Sequence, residues 1–192
     1  MPKPNVKDRI VAAGLEVLHR QGFNGSGVQD ITDAAGVPKG SFYNHFESKE
    51  VLGIAALDRY WQGALTKMPI LRDASIPPIE RLRRYFQSLF AISTEQGYSK
   101  GCLIGNFSLE LADHSPAVRD RLAEILKAWT GAIEDCLREA KQSGALRNDL
   151  DPSAVSAFML NAWEGTVLRA KVDKDGSAYA QFDAAIFDGM LR

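Results

Sequence analysis

Two cysteines, three histidines and three tryptophans in 192 residues leave little of the chemistry that disulfides, metals and redox cofactors demand. Cys102 and Cys136 are too few for a disulfide framework. Neither stands in a Cys-x-x-Cys or Cys/His pattern with metal-ligand spacing, so two reduced thiols, no metal and no cofactor are expected. No run of about 18 apolar residues is present that could cross a bilayer, and the stretch from Met1 to Asp8 is polar with no apolar signal core behind it. The expectation is a cytoplasmic protein without membrane association. An excess of charge is missing as well: 23 Lys and Arg against 24 Asp and Glu give a formal net charge of −1, so bulk attraction offers no hint of nucleic acid.

What the chain does have is helical periodicity. Few windows alternate at period two and the β-branched residues are scattered, so the fold class is read as all-α. Val6 to Gln21 places Ile10, Ala12, Ala13 and Val17 at helical spacing, with Gly22 as a stop. Val28 to Ala35 forms a two-turn helix with Ser26 as its expected cap and Gly36 as its terminator. A third short helix starts at Pro38, whose missing N–H suits a first turn. A fourth, capped by Ser48, runs toward Met68, and the Asp73 to Pro78 stretch then breaks the pattern. Further helices are expected over Pro78 to Glu95, Leu103 to Leu111, Pro116 to Ser143, Pro152 to Val172 and Tyr179 to Leu191. The length and this grouping point to a small three-helix module, residues 1–48, followed by a larger helical domain, residues 49–192.

The second and third helices, joined by Ala35-Gly36-Val37-Pro38, have the form of a helix-turn-helix, in which the second element is free to enter a major groove. Phe42 and Phe46 lie four apart and can face the core. That leaves Lys39, Gly40, Ser41, Tyr43, Asn44 and His45 as a reading face, with Gln29 on the preceding helix beside it. Ser26 and Ser48 stand at helix starts, where unpaired N–H groups favour either a capping role or a phosphate oxygen. Residues 1–50 carry six Lys and Arg (3, 7, 9, 20, 39, 49) and six Asp and Glu (8, 16, 30, 33, 47, 50), so any binding rests on placement and not on bulk charge.

The run Gly36-Val37-Pro38-Lys39-Gly40-Ser41-Phe42-Tyr43-Asn44-His45-Phe46-Glu47-Ser48-Lys49 resembles the N-terminal signature of the TetR family of transcriptional regulators, and the likeness covers about the first fifty residues. The resemblance implies a repressor of double-stranded, palindromic operator DNA that works as a homodimer and is released by a small-molecule or electrophile inducer. It further implies that Lys39 and Ser41 approach base edges while Ser26, Tyr43, His45 and Lys49 hold phosphates. For Tyr43 the competing reading is a packed ring.

In the larger domain, Lys100-Gly101-Cys102-Leu103 puts a cysteine just before a helix and beside a lysine, a setting that favours thiolate. Together with Leu109-Glu110, Asp113 and Ser115 to Arg119, it is similar to the branch of the family that holds electrophile- and oxidant-responsive repressors. In that branch this cysteine senses, and Lys171 corresponds to a lysine that can lie near it. Simple burial of Cys102 is the competing reading. Cys136 shares a stripe with Leu122, Leu126, Trp129, Ile133 and Leu137 and reads as core. Trp61, Phe86, Phe107 and Trp129, with Tyr85, Phe90 and Trp163, supply aromatic surface for an apolar-ligand pocket or for ordinary core. Asn161 and Glu164 either line such a cavity or pair with neighbours. Val155, Phe158, Met159, Ala162, Trp163 and Thr166, then Phe182, Ala185, Ile186 and Gly189, offer faces for a four-helix dimer interface. A thiol-dependent helical enzyme is the rival class, and no positioned base supports it: His114 lies twelve residues from Cys102 without an orienting third group.

Overall fold

The computed structural model describes residues 5–192; residues 1–4, Lys3 among them, lie outside the described residues. In chain order the helices are α1 (Val6–Gln21), α2 (Val28–Ala35), α3 (Lys39–Tyr43), α4 (Lys49–Leu65), α5 (Pro78–Glu95), α6 (Leu103–Leu111), α7 (Pro116–Gln142), α8 (Pro152–Asp173) and α9 (Ser177–Asp183). A 3₁₀ segment, Met68–Arg72, follows α4, and a π-helical turn, Ala184–Met190, follows α9. No strand occurs among the described residues.

Local chemistry sets most of these boundaries. Asn5 Oδ1 accepts the Asp8 N–H at 2.8 Å, Ser48 Oγ that of Val51 at 3.2 Å, and Ser115 Oγ that of Val118 at 3.2 Å, each satisfying an orphan donor in a first turn. Pro78, Pro116 and Pro152 open α5, α7 and α8, where a missing N–H costs nothing. The expected cap of α2 is corrected: Gly27 occupies the N-cap, and its N–H donates to Asp30 Oδ2 at 2.7 Å. Ser26 is buried and its hydroxyl donates to the Gly22 and Phe23 carbonyls at 2.8 and 3.2 Å, finishing α1 instead of starting α2. Other limits shift as well. Pro38 is the N-cap of α3, α4 stops at Leu65, and the terminal helix divides into α9 and the π turn. Ala12 is exposed, and Gly14 takes its place on the buried face.

The chain divides into two compact units. One comprises the chain up to Gly63 together with Leu103–Ala123; the other comprises Ala64–Cys102 and Glu124–Arg192. The first has a core of Ile10, Leu18, Ile31, Phe42, Leu52 and Phe107, all fully buried. A methyl group at Gly14 would stand 2.9 Å from Leu52 Cδ2, so α1 and α4 touch there with no room for a side chain. Truncating a ring such as Phe42 to alanine costs about 3–5 kcal/mol in a site of this kind.

The second unit is built on Leu82, Tyr85 and Phe86 of α5, Trp129 and Ile133 of α7, and Met159 and Trp163 of α8. Arg81 is buried there, held by the Leu71 carbonyl at 2.9 Å and by Glu139. Cys136 is core, as its stripe predicts: its thiol donates to the Pro78 carbonyl at 3.3 Å, and burial pushes its pKa up to about 11.

Candidate DNA interface and effector region

The turn between α2 and α3 depends on Gly36, whose φ of 63° and ψ of 41° are the left-handed conformation that ends a helix and that a side chain resists. The Gly36 N–H donates to Asp33 O and the Val37 N–H to Thr32 O, both at 3.0 Å. Arg9, reaching across from α1, completes the cap: its Nη2 donates to the Ala35 and Gly36 carbonyls at 2.7 and 3.1 Å. Beyond the turn, Phe42 is fully buried and stacks obliquely on Phe46 at 5.6 Å, anchoring α3 by one side.

The other side faces outward. Lys39, Gly40, Tyr43, Asn44 and His45 are exposed, Ser41 is half-buried, and Tyr43 is 58% exposed although its ring meets Phe42 edge-on. Lys39, Asn44 and His45 make no side-chain hydrogen bond or ion pair with any described residue. A Cβ at Gly40 would meet nothing within 4 Å, so nothing in the chain's own packing requires glycine at that outward position. Gln29 is exposed in the first turn of α2 and donates to Asp33 Oδ1 at 2.7 Å. The arrangement is a short helix and its C-terminal turn carrying an ammonium, a phenol, an amide and an imidazole into solvent on a buried aromatic base, which is what groove reading requires.

Two residues expected to meet phosphate are occupied otherwise. The donor of Ser26 is committed to carbonyls, as above. Lys49 Nζ donates to the carbonyls of Phe23 and Ser26, each at 2.8 Å, and lies 4.2 Å from the centre of the Phe23 ring. Its pKa is lowered by burial, opposed by the carboxylates of Glu110 and Asp30. Lys49 therefore ties α4 to the loop between α1 and α2. Glu110, near the end of α6, grips the same loop by accepting the Asn24 N–H at 2.7 Å. Neither Arg9 nor Glu110 carries a local sequence signal for these roles, because their partners lie 26 and 86 residues away.

In the second unit Cys102 is buried, 7% exposed, and comes directly before α6. Burial raises the pKa of the Glu164 carboxyl, and the nearby Cys102 thiol opposes part of that rise. Glu164 Oε1 is buried without a hydrogen bond among the described residues, as is Tyr85 Oη, whose pKa burial raises. Lys171 reaches the segment before the cysteine, donating to the Lys100 carbonyl at 3.3 Å. Of the other expected effector residues, Trp129 and Phe86 are buried in this unit, Asn161 is exposed on α8, and Trp61 and Phe107 belong to the first unit. Phe107 there meets Phe23 edge-on at 5.9 Å.

Beside this polar cluster lies a partly open cavity of about 550 Å³, walled by Phe86, Phe90, Trp163, Tyr179 and Phe182. Tyr179 and Phe182 on its α9 side are additions to the aromatic set named from sequence. On the outer surface of α8 and α9, Phe158, Ala162, Gly165, Thr166 and Ala185 line a shallow groove. Phe158 is 52% exposed and Gly189 and Ala185 are exposed, whereas Val155, Met159, Trp163, Phe182 and Ile186 turn into the core of their own unit. No described helix is long and apolar enough to cross a membrane.

Residues 10–56 match the family described as bacterial regulatory proteins, tetR family, and residues 78–186 match the tetracyclin repressor-like C-terminal domain. The HTH-type transcriptional repressor DhaR of Mycobacterium sp. (strain GP1) is 41% identical over 192 residues, covering 100% of this chain and 95% of that protein. The HTH-type transcriptional repressor NemR of Escherichia coli K12 is 25% identical over 171 residues, covering 88% and 86%. Among solved structures, a regulatory protein TetR from Rhodobacter sphaeroides superposes with a TM-score of 0.90 at 31% identity, covering 96% of this chain and 98% of that one.

Proposed function

The chain belongs to the TetR family and is a DNA-binding transcriptional repressor; from that premise we propose that it holds a palindromic operator as a homodimer and releases it when Cys102 is modified. Residues 1–48 form the DNA-binding head, and residues 49–192 sense the effector and dimerise. The observation that carries the DNA half is the outward set of Lys39 on α3 and Asn44 and His45 just after it, without a side-chain partner among the described residues, with open space over Gly40. Lys39 and Ser41 meet base edges, Tyr43 and His45 meet phosphates, and Gln29 contacts the backbone from α2. Lys49 and Arg9 hold these elements in position.

Members of the family dimerise, and the outward residues of α8 and of the π-helical turn after α9 supply the face. Phe158, Ala162, Thr166, Ala185 and Gly189 are small or apolar, so a second copy can approach closely along them. Two recognition helices about 34–36 Å apart then read successive major grooves. The relatives are named as regulators, and Cys102 has a carboxyl beside it where thiol catalysis needs a base oriented by a third group.

For the thiol switch, the supporting observation is a buried sulfur near the Glu164 carboxyl, with Lys171 bonded to the Lys100 carbonyl two residues upstream. Adding an electrophile there forces extra atoms into a packed site. Overpacking of this kind costs about 1–3 kcal/mol, enough to change a conformational ratio by about 5- to 150-fold. The conformer relieved of this strain is the one whose heads no longer match the operator spacing. Treating operator-bound protein with N-ethylmaleimide adds the Cys102 sulfur to the maleimide double bond, the thiol proton ending on the neighbouring carbon. Release from wild type and retention by Cys102→Ser is the expected result. Equal retention or equal release by both proteins contradicts the thiol switch and leaves the repressor standing.

A further inference from the structure

The thiol chemistry leaves the aromatic cavity of the second unit unused. Its volume of about 550 Å³ is that of a small-molecule site. Its walls are rings that already touch one another: Phe90 and Tyr179 have centroids 4.4 Å apart, Phe86 and Trp163 5.2 Å, Trp163 and Tyr179 5.3 Å, and Trp163 and Phe182 5.5 Å. Gly176 closes one corner, where a Cβ would stand 3.2 Å from Phe90 Cζ and 3.3 Å from Tyr98 Oη. A side chain at that corner would displace the rings.

The polar groups around the cavity are spoken for, with one exception. Asp183 is the charged side chain of the lining, and both its oxygens accept from Arg83 Nε at 3.1 Å. Arg83 also reaches Asp188 at 3.2 Å, so one cation is shared by two carboxylates and the cluster stays net negative. The Tyr179 hydroxyl is bonded to Ser93 Oγ at 2.8 Å. Gln87, exposed at the rim, keeps its amide for a ligand. An anionic guest would lose water and find no counter-charge, whereas a flat apolar guest would gain ring contacts on several sides.

We propose that this cavity is a binding site for a planar aromatic molecule without an anionic group, with the Gln87 amide as its single hydrogen-bonding contact. The proposal extends the effector reading of the second unit, and its test uses DNA-free protein so that the two can fail separately. N-phenyl-1-naphthylamine, which is uncharged, and 1-anilinonaphthalene-8-sulfonate, which has the same rings plus an anionic group, are titrated into the full chain. Fluorescence of the probe and quenching of tryptophan emission are followed. The neutral probe is expected to bind at one site per chain, at least about tenfold more tightly than the sulfonate, because the site offers the anion no partner.

Two variants locate the site. Ala180→Trp, at an exposed position of the lining, should weaken the neutral probe by about tenfold or more by filling the cavity. Its cooperative thermal unfolding, followed by circular dichroism, reports whether it is folded. Trp163→Phe keeps a ring in the wall and should remove most of the tryptophan quenching while binding persists. Equal affinity for the two probes, or unchanged affinity in folded Ala180→Trp, overturns the proposal.

Discussion

Replacing Lys49 by alanine separates a brace from a phosphate contact. In the structure its ammonium donates to two carbonyls at 2.8 Å and lies over the Phe23 ring. A hydrogen bond from a charged donor contributes about 1.5–3 kcal/mol, and a cation over a ring about 0.5–1 kcal/mol when exposed. Lys49 is only half-buried, so water regains the freed carbonyls in part, and the net loss works out at about 2 kcal/mol. Urea unfolding at fixed protein concentration measures it, since association would otherwise enter the result. Operator affinity is then measured against salt. A lysine on phosphate contributes about 1 to the salt slope. Lys49→Ala should lower stability and affinity with the slope unchanged, while Lys39→Ala should cost about 1–3 kcal/mol of operator affinity and relax the sequence preference at unchanged stability. A Lys49→Ala protein of normal stability whose slope falls by a full unit would refute the brace.

Arg9→Ala should cost about 1 kcal/mol and weaken operator binding, because the C-terminal carbonyls of α2 lose their donor; thermal unfolding with a binding titration checks both. Phe158→Asp should weaken self-association by about 100-fold or more, since each copy loses about 1.5–3 kcal/mol of apolar burial; sedimentation equilibrium reads it, and an unchanged dimer would move the interface off this face. Glu164 has a raised pKa in the folded state, so the native protein holds a proton that the unfolded chain gives up near the ordinary value of 4.5. Its contribution to stability is complete below that value and is lost as pH rises toward the raised one. Glu164→Gln should flatten this fall and stabilise the protein at neutral pH, and unfolding free energies measured from pH 4 to 8 would show no change in slope if the reading is wrong.

How legible this was in the sequence depended on the range of the interaction. The limits of α1 and α2, the left-handed stop at Gly36 and the proline starts of α5, α7 and α8 follow from residues within a turn of each boundary. The cap of α2 was misread because Ser26 and Gly27 both suit an N-cap, and only the carbonyls of Gly22 and Phe23, brought close by the bend after α1, claim the Ser26 hydroxyl. Lys49 reads as a phosphate ligand in isolation, and its two carbonyl partners lie 26 and 23 residues away. In α8 apolar residues go all the way round the helix, so periodicity could not tell the inward Met159 and Trp163 from the outward Phe158 and Ala162. The aromatic cavity escaped in part for the same reason: Tyr179 and Phe182 sit on a short helix that carried no distinct stripe.

The central claim is tested most directly by selecting binding sites from random-sequence duplex DNA with the intact protein, then measuring affinity for the selected site with wild type and Lys39→Ala. The account predicts a two-fold symmetric site with half-site centres about 10 base pairs, or a multiple of that, apart, and a variant that folds normally but loses preference for it. Failure to enrich any sequence, or a Lys39→Ala protein that binds the selected site as tightly as wild type, would contradict the placement of the recognition helix on α3.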